Sequence, residues 1–375
     1  MKPITAFTTV HPGEILSDEL DMRGIKQKDF ASTIGMPASV LNDIIKGKRS
    51  VTPDIAILLE AALGKDAISW LRLQAERDLE VARGKEDLLQ KQKDIETWQS
   101  IQSCCNVKYL EKYISGGLGK TIQDKIHAVL NFFNVKTVDA LREAFVKDVD
   151  PTYFRKSDKF KYDPVNIFTW KYMAFNKCES VERPKKFTTD SLNALIEGLQ
   201  TILYENEDTM NRIAQLLREY GIRFFTLDNE KGTHIDGFSF WKGAYPTITL
   251  TLRYKKIDIL AFTLMHEIGH VFNHLSPEAK SKTCLTLSDI KDNVEEQEAD
   301  MFANNNLIPA KEWQLFKERN RDVNPYAITS KLREFAHQYQ IHPAIVLGRY
   351  QHDFNVYDNG RGFDRSINRV GGKRK

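Results

Sequence analysis

No apolar stretch of this chain approaches the roughly twenty residues that a membrane-crossing helix needs, and the N-terminus has no apolar signal core. Insertion and export are therefore not expected, and the sequence predicts a cytoplasmic protein with no membrane partner. Charge of one sign is also lacking: 54 Lys and Arg stand against 51 Asp and Glu, a net charge of +3. That balance selects no particular partner for the chain as a whole. Cysteine is scarce, with Cys104, Cys105, Cys178 and Cys284 only. Their spacing fits no metal site, and adjacent cysteines make poor disulfide partners, so reduced buried thiols are expected. A phosphate-binding loop is missing as well. Gly116-Gly117-Leu118-Gly119-Lys120-Thr121 ends like one, but Ile114 stands where its first glycine is required and no strand precedes it. No internal repeat is evident. What remains is a chain of 375 residues, 41% hydrophobic, sufficient for two or three ordinary cores.

The N-terminal residues carry paired helical periodicity. Phe30, Ala31 and Ile34 share one face of a first helix, and Leu41, Ile44 and Ile45 one face of a second. Gly35 suits the end of the first and Gly47 the end of the second. The run Thr52 to Gly64 adds a capped amphipathic helix. This is the pattern of a helix-turn-helix. Base edges would be met by Ala38, Ser39, Val40 and Asp43, and phosphates by Gln27, Lys28, Lys46, Lys48 and Arg49. Pro37 stands where a hydroxyl cap would usually be. Residues 1 to 75 balance nine basic against nine acidic side chains, so retention for protein contact competes with DNA binding. The helices resemble the HigA-like antitoxin branch of the lambda-repressor-type (XRE) helix-turn-helix family over about residues 8 to 80. The resemblance implies an all-α DNA-binding domain; a homodimer would compensate for the few base contacts by using two half-sites about one helical turn apart.

Histidine is scarce, yet His266-Glu267-Ile268-Gly269-His270 places two within one apolar helix. Histidines at i and i+4 project from one face about one turn apart and can hold a single Zn²⁺, with the intervening glutamate able to reach a water at the metal. A third ligand is needed. The class that adds a third histidine is excluded, because Asn273 and Ser276 occupy its glycine and histidine positions. A glutamate from a later helix is the other solution. Val294 to Ala303 is such a helix, with Ala299, Phe302 and Ala303 marking its buried side. Glu295, Glu296 and Glu298 are the choices; Glu296 is favoured, with Asp300 at i+4 placed to receive the distant ring N–H of a ligating histidine.

These segments carry a second resemblance. Ile235-Asp236-Gly237-Phe238-Ser239, Pro246 to Leu250, the H-E-I-G-H helix, E-x-E-A-D-x-F-A and Asn306-Leu307-Ile308-Pro309 are similar, in order and spacing, to the ImmA/IrrE family of zinc metallopeptidases over about residues 190 to 310. The resemblance implies that His266, His270 and Glu296 bind zinc, that Glu267 is the general base, and that the substrate is a protein such as a repressor or antitoxin. It implies a setting of stress response, toxin–antitoxin control or phage defence.

The predicted fold is mainly α, with an all-α helix-turn-helix domain and a small α+β zincin-like metallopeptidase domain. The expected segments are residues 1–80 for the helix-turn-helix, 81–185 for a helical connector, 186–310 for the peptidase, 311–359 for a helical extension and 360–375 for a disordered basic tail. Residues 71 to 101 read as one or two helices broken near Gly84. The aromatic-rich stretch 106–180 reads as packed core rather than a single-strand-binding surface. Strands are expected at Ile222–Leu227, Ile235–Trp241 and Thr247–Leu252, the last able to receive a peptide by strand addition. His337, His342 and His352 are packing residues of which one could face the site. The functional expectation is a zinc endopeptidase coupled to a helix-turn-helix regulator. Two alternatives stand beside it: a DNA-binding regulator or antitoxin that keeps the metal fold as sensor or scaffold, and a toxin or defence effector restrained by a partner.

Overall fold

The structure is a computed structural model and describes residues 10–148, 162–278, 282–287, 294–321, 323, 325–356 and 368–371. The chain divides into two compact units, Met1–Thr97 and Trp98–Lys375. Among the described residues no helix is long and apolar enough to cross a membrane.

The first unit is helical: α1 (Pro12–Met22), α2 (Gln27–Thr33), α3 (Ala38–Ile45), α4 (Pro53–Leu63) and α5 (Ala67–Arg83). Glycines at positive φ set its turns, Gly35 after α2 (φ 65) and Gly47 after α3 (φ 69), where an L side chain would be strained. Leu16, Leu20, Phe30, Ala31, Leu41, Ile44, Leu59 and Trp70 close one core. α3 starts at Pro37 with no side-chain cap bond, as its sequence predicts. A further helix, Glu86–Cys104, follows a break at Gly84.

The second unit is built on a four-stranded sheet of order β1-β3-β2-β4, from β1 (Arg223–Thr226), β2 (Ile235–Lys242), β3 (Tyr245–Leu250) and β4 (Thr283–Leu287). β1 and β3 are parallel; the other pairs are antiparallel. Strand alternation separates two faces. Phe224, Trp241, Ile248, Leu250 and Cys284 join a core with the helices Leu192–Glu205, Thr209–Glu219, Ile257–Asn273, Val294–Leu307, Ala310–Arg319, Pro325–Gln338 and Pro343–Phe354. Phe225, Ile235, Phe238, Phe240 and Leu287 join a core with residues of the helices Val107–Tyr113, Ile122–Phe132, Val138–Asp148 and Pro164–Ser180.

Four expectations change here. The connector expected up to residue 185 supplies, from residue 98 onward, a whole helical layer on the second face of the sheet. Its aromatics are core, with Phe133 stacked on Phe168 at 5.2 Å and Phe175 edge-on to Phe240 at 4.8 Å; Tyr153, Phe154 and Phe160 lie outside the described residues. The expected extension from residue 311 shares the peptidase core, through Trp313, Leu332, Val346 and Tyr350. β3 cannot receive a peptide strand, because β1 and β2 occupy both its edges. Finally, the basic tail is anchored at its described residues. The buried Asn206 amide donates to Arg369 O at 2.8 Å and accepts from Gly371 N at 2.9 Å, and Lys256 and Arg369 form an antiparallel bridge. The remaining tail residues, 360–367 and 372–375, lie outside the described residues.

Candidate metal centre

The helix Ile257–Asn273, here the histidine helix, is buried over most of its length. Leu260, Leu264, Met265 and Ile268 are at most 2% exposed, and each such side chain contributes about 1.5–3 kcal/mol on burial. This apolar packing fixes the polar residues of the same helix. It meets the helix Val294–Leu307, the acidic helix, across small residues. A Cβ on Gly269 would stand 3.2 Å from Phe302 Cβ and 3.3 Å from Ala299 Cα. Glycine at that position lets the two helices approach, and the approach brings Glu296 to the histidines.

The three side chains converge. His266 Nε2 lies 3.0 Å from His270 Nε2 and 3.1 Å from Glu296 Oε2, and His270 Nε2 lies 3.2 Å from Glu296 Oε1. One ligand atom from each falls within 4.8 Å of the others. Two imidazole nitrogens and a carboxylate are a donor set that Zn²⁺ accepts. Bonds of about 2.0–2.1 Å to a tetrahedral ion put ligand atoms roughly 3.3 Å apart, close to the spacing found. Glu295 instead pairs with Lys282 at 2.6 Å, and Glu298 with His274 at 2.9 Å. Asp300 Oδ1 lies 2.9 Å from His266 Nδ1, so the ring is held at both nitrogens.

The electrostatics mark a point where positive charge is favoured. Burial alone would lower the His266 pKa, but hydrogen bonds to Asp300 and Glu296 outweigh it and push it up to about 10. Burial would raise Glu296, yet its bonds to the two histidines bring it down to about 2.

Glu267 is fully buried between the histidine helix and the sheet. Burial pushes its carboxyl above the usual range, against the lowering effect of His270, His266 and two hydroxyls. Thr286 donates to its Oε1 at 2.7 Å, and Ser239 donates to its Oε2. Gly237 gives it room, since a Cβ there would meet Oε1 at 2.0 Å. Gly237 and Ser239 share the β2 face toward the histidine helix. Sequence reading missed the roles of Gly237, Ser239 and Thr286, although the Gly237-Phe238-Ser239 alternation was a usable signal for two of them.

Beside the cluster opens a cleft of about 300 Å³. His266, Glu296, Asp300 and Thr286 form its metal end, and Asp258, Arg349 and His352 line it too. Of the three later histidines, His352 is thus at the cleft. His342 is buried and caps the helix Pro343–Phe354, accepting from Ala344 N at 3.3 Å. Glu267 does not itself line the cleft; it sits behind Thr286.

The sequence-predicted DNA residues lie in the first unit. Gln27, Lys28, Ser39, Lys46, Lys48 and Arg49 are exposed, whereas Val40 is half-buried against the core, which reduces what it can offer a base. Asp43 O accepts from both Lys48 N and Arg49 N, at 2.8 and 3.1 Å, tying the basic loop to the end of α3.

Comparison with known proteins divides along the same lines. Residues 16–69 match the helix-turn-helix family, and residues 217–349 match the IrrE N-terminal-like domain of peptidase family M78. Virulence-associated protein I of Dichelobacter nodosus is 38% identical over 74 residues, covering 20% of this chain and 68% of that protein. The uncharacterized HTH-type transcriptional regulator YddM of Escherichia coli (strain K12) is 30% identical over 79 residues, 19% of this chain and 84% of its own. Among solved structures, the Pseudomonas aeruginosa antitoxin HigA with the higBA promoter is 36% identical, covering 20% of this chain and 83% of that one, with a TM-score of 0.20. The chain belongs to the helix-turn-helix family through residues 16–69 and carries, over residues 217–349, an IrrE N-terminal-like domain of the M78 peptidases.

Proposed function

We propose that this chain is a zinc-dependent endopeptidase coupled to a DNA-binding helix-turn-helix, cutting a protein partner such as a repressor or antitoxin. The observation that carries the reading is the convergence of His266, His270 and Glu296 at one end of an open cleft, with Glu267 immediately behind its wall. His266, His270 and Glu296 would hold the ion. When bound, Zn²⁺ supplies Lewis acidity to the scissile carbonyl and acidifies a water molecule. Asp300 orients His266. Glu267 takes the water proton and returns it to the leaving amine. Burial raises its pKa, and the Ser239 and Thr286 hydroxyls donate to its two oxygens. The edge strand β4, rather than β3, lies beside the cleft, through Thr286 and Leu287, to receive an extended peptide.

In the first unit, Lys46, Lys48 and Arg49, with Gln27 and Lys28, would neutralise phosphates, while Ser39 and the exposed part of Val40 meet base edges. A homodimer would place two such surfaces on successive half-sites. A relative named as an uncharacterized HTH-type transcriptional regulator fits this assignment.

A second reading has one specific support. Glu267 is fully buried with both its oxygens accepting from hydroxyls, as those of a structural carboxylate would, and a regulator that keeps the metal fold as a scaffold needs no exposed base. Full-chain protein purified with metal analysis, as wild type and Glu267→Gln, separates the two. The peptidase reading expects equal zinc in both and cleavage of a co-expressed partner by wild type only. Equal biological effect from both variants would favour the scaffold.

A further inference from the structure

The two histidines of the centre are oriented by different partners. His266 Nδ1 meets a carboxylate directly, at Asp300. His270 Nδ1 instead faces His274 Nδ1 at 2.9 Å, and His274 Nε2 reaches Glu298 Oε2 at 2.9 Å. His266, His270 and His274 stand one turn apart in a single column, as i, i+4 spacing requires. The column ends where the helix ends, with His274 as its C-cap and its N–H bonded to His270 O at 3.0 Å. The His274 side chain is 5% exposed and Glu298 is 55% exposed, so the chain of contacts runs from the buried centre to the surface.

The protons along this chain can be placed by elimination. A neutral imidazole carries one N–H. His270 Nε2 points at the convergence point, so with a cation there it is bare and the proton sits on Nδ1. His274 Nδ1 must then accept, which places the His274 proton on Nε2, where Glu298 accepts it. One surface carboxylate thereby fixes the tautomers of two rings.

We propose that His274 is a positioning residue of the metal site, acting through His270, and that Glu298 sets its tautomer. The proposal rests on the zinc reading of His266, His270 and Glu296. An outer partner of this kind raises ligand basicity and holds the ring at the angle the ion requires.

The test is zinc affinity of the full chain, measured by competition with a chromogenic chelator, for wild type, His274→Leu, His274→Asn and Glu298→Ala. His274→Leu should bind zinc about 10–100-fold more weakly, while metal-free circular dichroism and thermal midpoint stay at wild-type values. His274→Asn should recover much of the loss, because its carbonyl can accept near the position of Nδ1. Glu298→Ala should show a smaller loss in the same direction, and the visible absorption of the Co²⁺-loaded variants should shift from that of wild type. Wild-type affinity in a folded His274→Leu chain would overturn the proposal. Should that variant fail to fold, unchanged affinity in Glu298→Ala would do so. A wild-type chain that binds no zinc would instead remove the metal-site reading itself, and the proposal with it.

Discussion

A methyl group added at Gly237 would stand 2.0 Å from Glu267 Oε1. The carboxylate could yield only by leaving its bonds to Thr286 and Ser239 in a fully buried space. Gly237→Ala should therefore cost about 1–3 kcal/mol of stability and lower peptide cleavage by roughly 10²-fold through misplacement of the base. Zinc content should stay at the wild-type level, because no ligand is touched. Urea unfolding, metal analysis and turnover on one preparation would check all three; a variant with full activity would show that Glu267 does not act from this position. At this scale the sequence was readable where chemistry and spacing coincide. His266 and His270 are i and i+4 on one helix, and Glu296 is one of three acidic choices on another. Ser239 and Thr286 were not readable. Their hydroxyls reach Glu267 from two strands, 28 residues before it and 19 after it, and serine and threonine are common in strands for other reasons. The contact of His274 with His270 was not readable either, because it needs ring orientations that spacing alone does not supply.

Between elements, Gly269 controls how closely the histidine and acidic helices pass. Its missing side chain faces Ala299 and Phe302 at 3.2–3.3 Å. Gly269→Val should push the acidic helix outward, carrying Glu296 away from the histidines. We expect a destabilisation of about 1–3 kcal/mol and zinc binding weakened by roughly tenfold or more, both visible in thermal melts with and without added zinc. A melt that keeps its full zinc-induced rise would contradict this account of the helix contact. The strands show where element-level reading stops. β1, β2 and β3 were legible from β-branched and aromatic alternation, but their spatial order was not. β3 follows β2 in a hairpin, yet it is β1 that closes the far edge of β3 and β4 that closes β2. β4 itself, Thr283–Leu287, is a five-residue strand whose burial does not alternate along its length. Its place beside β2 is decided by tertiary packing.

For the molecule as a whole, the sheet of the second unit has a helical layer on each face, and that is why a sequence division into connector, peptidase and extension undercounts the core. Contacts such as Trp170–Phe238 join residues 68 apart in sequence, and no local pattern announces them. The first unit was more legible, since its core forms between neighbouring helices. There we expect DNA binding to weaken steeply with salt, because neutralised phosphates release counterions. Replacing Lys46, Lys48 and Arg49 together by Ala should lower the slope of log affinity against log salt by about 3 per chain. Gel-shift titration at several salt concentrations measures this, and an unchanged slope would move the phosphate contacts elsewhere. The central claim, however, is that the second unit cuts protein. The most direct measurement is mass-spectrometric identification of new protein N-termini in cells expressing wild type or Glu267→Gln at equal levels. The account predicts new termini from one or a few proteins with wild type and none with Glu267→Gln. The same termini in both would contradict it.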